Sequence, residues 1–186
     1  MAVGDPNYGR CMTRYVALLR GINVGGINIK MVDLARVFTE LGFERVKTVL
    51  ASGNVLFDST SADVPALKKT IETALNREFG YEAWVFVLDT AALQAIVDGY
   101  PFDSDREGWH AYAMIASEPS VLAELAESAA GLDPAVEQVA PGDGVLYWEV
   151  EKGMTVKSVF GKNTGKPKFK AYTTTRNLNT LHKLLK

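Results

Sequence analysis

The sequence predicts an α+β protein built from two ferredoxin-like halves of βαββα type, with antiparallel sheets and helices on one face of each sheet. Strand-like apolar runs and helix-like apolar spacing alternate in the order βαββαβ over the first half. The same order partly recurs in the second half. In addition, 47% hydrophobic and 23% charged residues in a chain of 186 are typical of a globular protein that buries a core without disulfides.

The first half, residues 13–98, is predicted to hold four strands, two long helices and a linking helix. Residues 14–20 are apolar and end at a glycine-rich turn, which indicates a buried strand. Apolar residues at helical spacing predict helices over residues 30–41 and 63–79, the second of which begins at the N-cap residue Asp63. The half is completed by a hairpin over residues 45–58, a strand over 82–88 and the linking helix over 90–97.

The second half, residues 99–186, is predicted to be a degenerate α+β copy of the first with a basic C-terminal segment. Its residues 154–160 are compatible with either a helix or a strand. Glycine and proline argue against a helix over residues 162–170, so we expect an exposed basic loop there. The remaining predicted elements are a strand over residues 109–116, a helix over 119–130, a hairpin over 136–150 and a last helix that starts within 173–177.

Residues 1–12 are rich in Gly, Asp, Pro and Asn, and this composition predicts a disordered extension. The segment also lacks the apolar core of a secretory signal, so we do not expect it to be one. The single cysteine, Cys11, excludes an internal disulfide and fits a reducing compartment. No apolar run approaches the roughly 20 residues that span a bilayer. We therefore expect a cytoplasmic protein without a membrane partner.

Charge is unevenly distributed along the chain. All 22 acidic residues lie at or before Glu151, whereas the segment from Lys152 to Lys186 holds nine basic residues and no acidic one. Two explanations stay open: a basic patch for an anionic partner, or a basic segment folded onto an acidic body. The second explanation is the more common one, because most runs of like charge are solvated or pair with charges of the same protein.

Two polar turns are expected to meet at one edge of the first sheet. In a split βαβ unit the end of the first strand lies beside the turn between the second and third strands. Here those segments are residues 20–26, which include Arg20, Asn23, Gly25 and Gly26, and residues 52–54, which include Ser52 and Asn54. The first segment leads to Lys30 at a helix N-terminus, where backbone N–H groups favour anions.

These turns match neither of two common phosphate-binding motifs, the P-loop and the dinucleotide fingerprint. Gly21 and Gly26 have the spacing of a P-loop, but Ile27 and Asn28 stand where that motif needs Lys and Ser or Thr, and a dinucleotide fingerprint is absent. The alternative is that the glycines only permit tight turns. We expect no cofactor, and we expect no metal, since the two histidines are isolated.

Four short motifs, in this order along the chain, resemble a bacterial family of unknown function, DUF1697. They are RGINVGG at residues 20–26, Lys30-Met31, SGNV at residues 52–55, and TTRN at residues 174–177 followed by Asn179-Thr180. The resemblance spans residues 14–185 and implies an α+β fold with a ferredoxin-like part, but no activity. The chain departs from the family pattern at Ile27, where Lys is frequent, and at Leu178, where Trp is frequent.

Three functions stay open on the sequence. The first is binding of a small phosphate- or carboxylate-containing ligand, because the polar side chains of the turns are hydrogen-bond donors and include no evident base or nucleophile. The second is RNA or DNA binding through the basic C-terminal segment. The third is a structural or assembly role without a ligand. The ligand-binding residues of the first are predicted to be Arg20, Asn23, Gly25, Gly26, Lys30, Ser52, Asn54, Arg176 and Asn177.

Arg176 and Asn177 are included in this predicted site because of the way polar turns are expected to pack. Polar turns are costly to bury unless their backbone groups find partners, so we expect the segment at residues 174–177 to lie near the two glycine-containing turns. In the alternative interpretation, Arg176 bridges carbonyl groups of the Gly25-Gly26 turn and Asn177 caps the last helix.

Overall fold

The computed structural model describes residues 11–23 and 26–186. The predicted extension at residues 1–12 therefore lies outside the described residues except for Cys11 and Met12. The chain divides into two compact units, residues 1–90 and residues 91–186, and each is described by itself.

The first unit is a four-stranded antiparallel sheet in the order β2-β3-β1-β4 with two helices. This order confirms the split βαβ arrangement, and β1 lies between its antiparallel neighbours β3 and β4. The elements are β1 (Thr13–Arg20), α1 (Met31–Glu40), β2 (Glu44–Val49), β3 (Asn54–Ser59), α2 (Val64–Phe79) and β4 (Trp84–Asp89).

The core of the first unit lies between one face of this sheet and the two helices. Leu34 and Phe38 of α1 and Ile71 and Leu75 of α2 pack against alternate residues of the strands, such as Phe57. Helix α2 starts as its sequence predicts, because the Asp63 side chain accepts a hydrogen bond from Ala66 N, and it ends at Gly80 in the left-handed conformation. Both helices therefore cover the same face of the sheet.

Two tyrosines of this core give a matched test of buried hydroxyl groups. The Tyr15 hydroxyl donates to Ser61 O at 2.9 Å, whereas the buried Tyr81 hydroxyl has no hydrogen-bond partner among the described residues. We expect Tyr81→Phe to leave the free energy of unfolding unchanged or raise it by about 1 kcal/mol, and Tyr15→Phe to lower it by about 1 kcal/mol. Urea unfolding curves of both variants measure the difference, and equal losses would contradict the assignment.

The second unit repeats the arrangement, with a four-stranded antiparallel sheet in the order β6-β7-β5-β8. This unit begins within α3. As in the first unit, the first strand in chain order lies between the third and the fourth strands, so β5 lies between β7 and β8. The elements are α3 (Thr90–Asp98), β5 (Trp109–Ala116), α4 (Pro119–Glu127), β6 (Glu137–Pro141), β7 (Leu146–Glu151), α5 (Val159–Thr164), α6 (Pro167–Lys170), β8 (Thr173–Asn177) and α7 (Leu178–Leu184).

A buried carboxylate links the second sheet to α5. Glu137, only 2% exposed, accepts hydrogen bonds from Phe160 N at 3.0 Å and from Trp148 Nε1 at 3.2 Å. Phe160 N belongs to the first turn of α5, where an anion is favourable. Trp148 and Phe160 in turn lie in the core of this unit, together with Leu125 of α4 and Phe169 of α6.

Two predictions for the second half are wrong. Residues 173–177 form the edge strand β8 instead of the start of the last helix, because their threonines favour a strand and pair with β5. Residues 162–170 are not a loop, since they lie within α5 and α6 except for the short connection between them. Gly161 is needed inside α5, because a Cβ there would lie 1.9 Å from Thr155 O, and Pro167 occupies the first position of α6, where proline is favourable.

Candidate functional site

The end of the first sheet at which β1 stops and β3 and β4 start is called the loop end. The β1–α1 loop and the β2–β3 turn are in contact there, as the split βαβ order predicts. Leu19 N donates to Gly53 O at 2.7 Å, and Asn23 Nδ2 donates to Ala51 O at 2.6 Å. The two polar segments therefore form one continuous surface of the first unit.

Asn23 is the residue that fixes this arrangement. Its side chain bridges the loop and the turn, since Oδ1 accepts from Ile29 N at 2.8 Å while Nδ2 bonds to the turn. Its backbone N–H donates to Ile27 O at 2.6 Å. Both polar atoms of the side chain are thus engaged in holding the loop against the turn.

Asn54 holds the β2–β3 turn through its side-chain amide, as Asn23 holds the loop. It is completely buried, and its Nδ2 donates to Val49 O at 2.8 Å and to Ser52 Oγ at 2.9 Å. Ser52 itself is exposed at the tip of the turn. A buried amide with these two partners rigidifies the turn and leaves Ser52 at the surface.

Arg20 differs from both asparagines. It is the last residue of β1 and lies on the face of the sheet opposite α1 and α2, in register with Trp84 of β4. Partial burial lowers the pKa of its guanidinium below the ordinary value. Among the described residues, no hydrogen bond or ion pair offsets this loss of hydration. Arg20 is therefore a partly dehydrated cation, and no ion pair to it is found among residues 11–23 and 26–186.

The remaining predicted residues of the loop are Lys30, Gly25 and Gly26. Lys30 is exposed and immediately precedes α1, and its side chain makes no capping hydrogen bond. Gly26 has φ of 96°, which favours glycine. Gly25 lies outside the described residues.

Left-handed backbone conformations are concentrated at the loop end. Asn23 has φ of 55° and Leu50 has φ of 61°, and Gly21 and Gly53 also have positive φ. Asparagine adopts the left-handed conformation at little cost, but the same conformation costs a leucine about 1 kcal/mol. Such strain is frequent at functional sites, where the surrounding structure holds it in place.

Arg176 and Asn177 belong to the second unit and are described there. Arg176 Nη1 donates to Thr174 Oγ1 at 2.9 Å and to Thr175 O at 3.2 Å, and burial lowers the pKa of its guanidinium to about 10. Asn177 is the N-cap of α7, and its Oδ1 accepts from Asn179 N at 2.9 Å. The predicted proximity of this segment to the loop end stays a prediction.

Trp84 is a residue of the loop end that lies in the predicted apolar strand over residues 82–88, where a place in the core is expected. It lies at the start of β4 and is 36% exposed. An apolar strand pattern predicts burial, but β4 is an edge strand of the sheet. The split βαβ order, which places the fourth strand at the edge, is the signal in the sequence that favours exposure.

RNA or DNA binding would need aromatic rings that stack bases and basic side chains that contact phosphate, and three residues of these types make contacts within the protein. Tyr15 and Phe57 stack on each other in the core beneath α1 and α2, with ring centroids 5.6 Å apart, so they offer no free ring face. Lys168 of the basic segment forms an ion pair with Glu124. This pair is an example of the internal use of the basic charges.

In residues 11–23 and 26–186, no group of three His, Cys, Asp or Glu side chains is arranged to hold a metal ion. Every helix there is too short or too polar to cross a bilayer.

Comparison with known proteins places the chain among proteins of unknown function. A family model described as "Protein of unknown function (DUF1697)" matches residues 12–147. The conserved bacterial protein SP0830 from Streptococcus pneumoniae has a similar solved structure, with a TM-score of 0.76 and 24% identity over 94% of this chain and 99% of that one. This likeness shows a shared fold.

Two other comparisons give no information about function. An unknown protein from Galdieria sulphuraria aligns over 89% of this chain and 97% of its own, but with a TM-score of 0.29 and 10% identity. The search of curated proteins gives no match. The family model, in contrast, covers well over half of the sequence and agrees with the motifs at residues 20–26 and 52–55. The chain belongs to the DUF1697 family.

Proposed function

We propose that the protein binds a small ligand carrying a phosphate or carboxylate group at the loop end of the first unit. The observation that supports this is Arg20, a partly dehydrated guanidinium without a counter-charge among the described residues. Such a cation is costly in the free protein, and an oxyanion offsets that cost through bidentate hydrogen bonds.

Other residues of the loop end have complementary roles in this proposal. Asn23 and Asn54 hold the loop and the turn rigid, so little ordering accompanies binding. Lys30 adds a second positive charge at the start of α1, and Ser52 is exposed at the tip of the turn. Reduced hydration around Arg20 strengthens its attraction for an anion relative to an exposed arginine.

The chemistry of these side chains favours binding over catalysis. The guanidinium of Arg20 has only donor atoms, and the amides of Asn23 and Asn54 do not titrate. None of these three side chains can act as a general base, which must accept a proton from the substrate. The proposed role is therefore that of a binding protein.

Titration calorimetry with inorganic phosphate and with acetate as probes tests this proposal. We expect the wild-type protein to bind at least one of the two, and Arg20→Gln to bind it at least about tenfold more weakly, because a hydrogen bond to a charged group contributes about 1.5–3 kcal/mol. Lys69→Gln removes the same charge from an exposed position on α2 and serves as the control.

The control separates a local contact from the general effect of charge. If Lys69→Gln weakens binding as much as Arg20→Gln, the anion is attracted only by overall charge and the site is not at the loop end. Absence of binding to both probes by the wild-type protein would also contradict the proposal.

A further inference from the structure

We infer that the ligand at the loop end carries a planar aromatic ring next to its anionic group, as a nucleoside monophosphate does. This inference rests on the proposed function, because Arg20 supplies the contact to the anion. Its independent observation is Trp84, an exposed indole opposite that arginine.

Trp84 and Arg20 are cross-strand partners. They are paired in the register of β1 and β4, so both side chains project from the same face of the sheet. Directly opposed residues of antiparallel strands have Cβ atoms about 4.5–5.5 Å apart. A ring on the indole would therefore place an attached anionic group within reach of the guanidinium.

The exposure of Trp84 is unusual among the tryptophans of this chain. Trp148 is buried in the core of the second unit, and the Trp109 ring is covered by the Arg106 guanidinium, which lies 3.6 Å from the ring centroid. Trp84 is 36% exposed, and no ring or cation stacks on it among the described residues. Its exposed part offers an apolar surface to a flat ligand.

The two side chains together select a class of ligand. A guanidinium alone holds any oxyanion, and an indole alone holds any flat apolar ring. A nucleotide combines a base, which every aromatic side chain can stack on, with a phosphate dianion. The pair at the loop end therefore favours a nucleotide over a simple phosphate or a sugar phosphate.

Three probes separate the contribution of the ring from that of the anion: AMP, ribose 5-phosphate and inorganic phosphate. We expect AMP to bind about tenfold more tightly than ribose 5-phosphate, because stacking one base on an aromatic side chain is worth about that factor or more. Trp84→Ala is expected to abolish the difference between AMP and ribose 5-phosphate, and Trp84→Phe to retain most of it. Affinities are measured by titration calorimetry.

The outcomes distinguish this inference from the proposed function. If ribose 5-phosphate and phosphate bind in an Arg20-dependent manner while AMP binds no more tightly, the inference is wrong and the anion site stands. If AMP keeps its advantage in Trp84→Ala, the base is held elsewhere and the inference is also wrong. If none of the three probes binds to the wild-type protein, neither the inference nor a phosphate site survives.

Discussion

Replacing Glu137 by alanine is expected to lower the free energy of unfolding by about 2–4 kcal/mol. The carboxylate is buried and accepts from Phe160 N and Trp148 Nε1. Both donors lie in the core of the second unit, so without Glu137 they lose their partner where water has little access. An unsatisfied buried donor costs about 1–3 kcal/mol. Urea unfolding followed by circular dichroism measures the loss.

Glu137→Gln is the control for the loss of volume. A glutamine fills the same space, but its amide oxygen can accept from one donor while its NH₂ group opposes the other. We expect its free energy of unfolding to lie between those of the wild-type and alanine variants. A Glu137→Ala protein within about 0.5 kcal/mol of wild type would contradict the role of the carboxylate in joining the sheet to α5.

Gly53→Ala is expected to lower the free energy of unfolding by about 2–4 kcal/mol, through two separate effects. Gly53 has φ of 78°, a conformation that disfavours any residue with a Cβ. A Cβ there would also lie 2.6 Å from Ile22 Cδ1 and 2.9 Å from Leu19 Cβ. The turn would have to move away from β1, which would disturb the Gly53 O contact with Leu19 N and the loop end with it.

Gly42→Ala separates the two effects, because Gly42 has φ of 82° but open space around its Cβ position. Its expected cost is that of the backbone conformation alone, about 1 kcal/mol. The difference between the two variants in urea unfolding measures the tight packing of the turn against β1. Equal losses in the two variants would contradict that packing.

The architecture of the first unit could be predicted because its local and long-range signals agree. The cap at Asp63 and the apolar spacing of α2 specify a helix that needs a sheet to cover it. Hairpin and crossover rules then leave few strand orders, and the observed order of the first sheet is the expected one. Contact between the loop and the turn follows from that order.

The second unit shows where such reasoning fails. In the segment at residues 162–170, glycine and proline signals opposed a helix, but tertiary contacts decide the outcome. Phe160 and Phe169 are buried, and the energy of that burial exceeds the modest cost of Gly161 within a short helix. Residues 173–177 similarly carry a cap signal for α7 at Asn177, while the threonines before it pair with β5.

The sequence predicts which polar residues lie at the two turns but not what each side chain contacts. A sequence identifies Arg20, Asn23 and Asn54 as polar residues at turns. It does not show that the asparagine side chains are committed to the loop and the turn, whereas Arg20 is left without a counter-charge among the described residues. That distinction depends on distances of a few ångströms between segments about 30 residues apart in the chain.

The most direct test of the account is the thermal stability of Arg20→Met with and without inorganic phosphate. Without phosphate, we expect the variant to unfold at the same temperature as wild type or a higher one, because methionine removes a cation that burial disfavours. Phosphate at about 100 times its Kd should stabilise the wild-type protein by about 2.7 kcal/mol and leave the variant unchanged. A variant that unfolds at a lower temperature and responds to phosphate as wild type does would show that Arg20 is a structural residue and that the loop end is not the anion site.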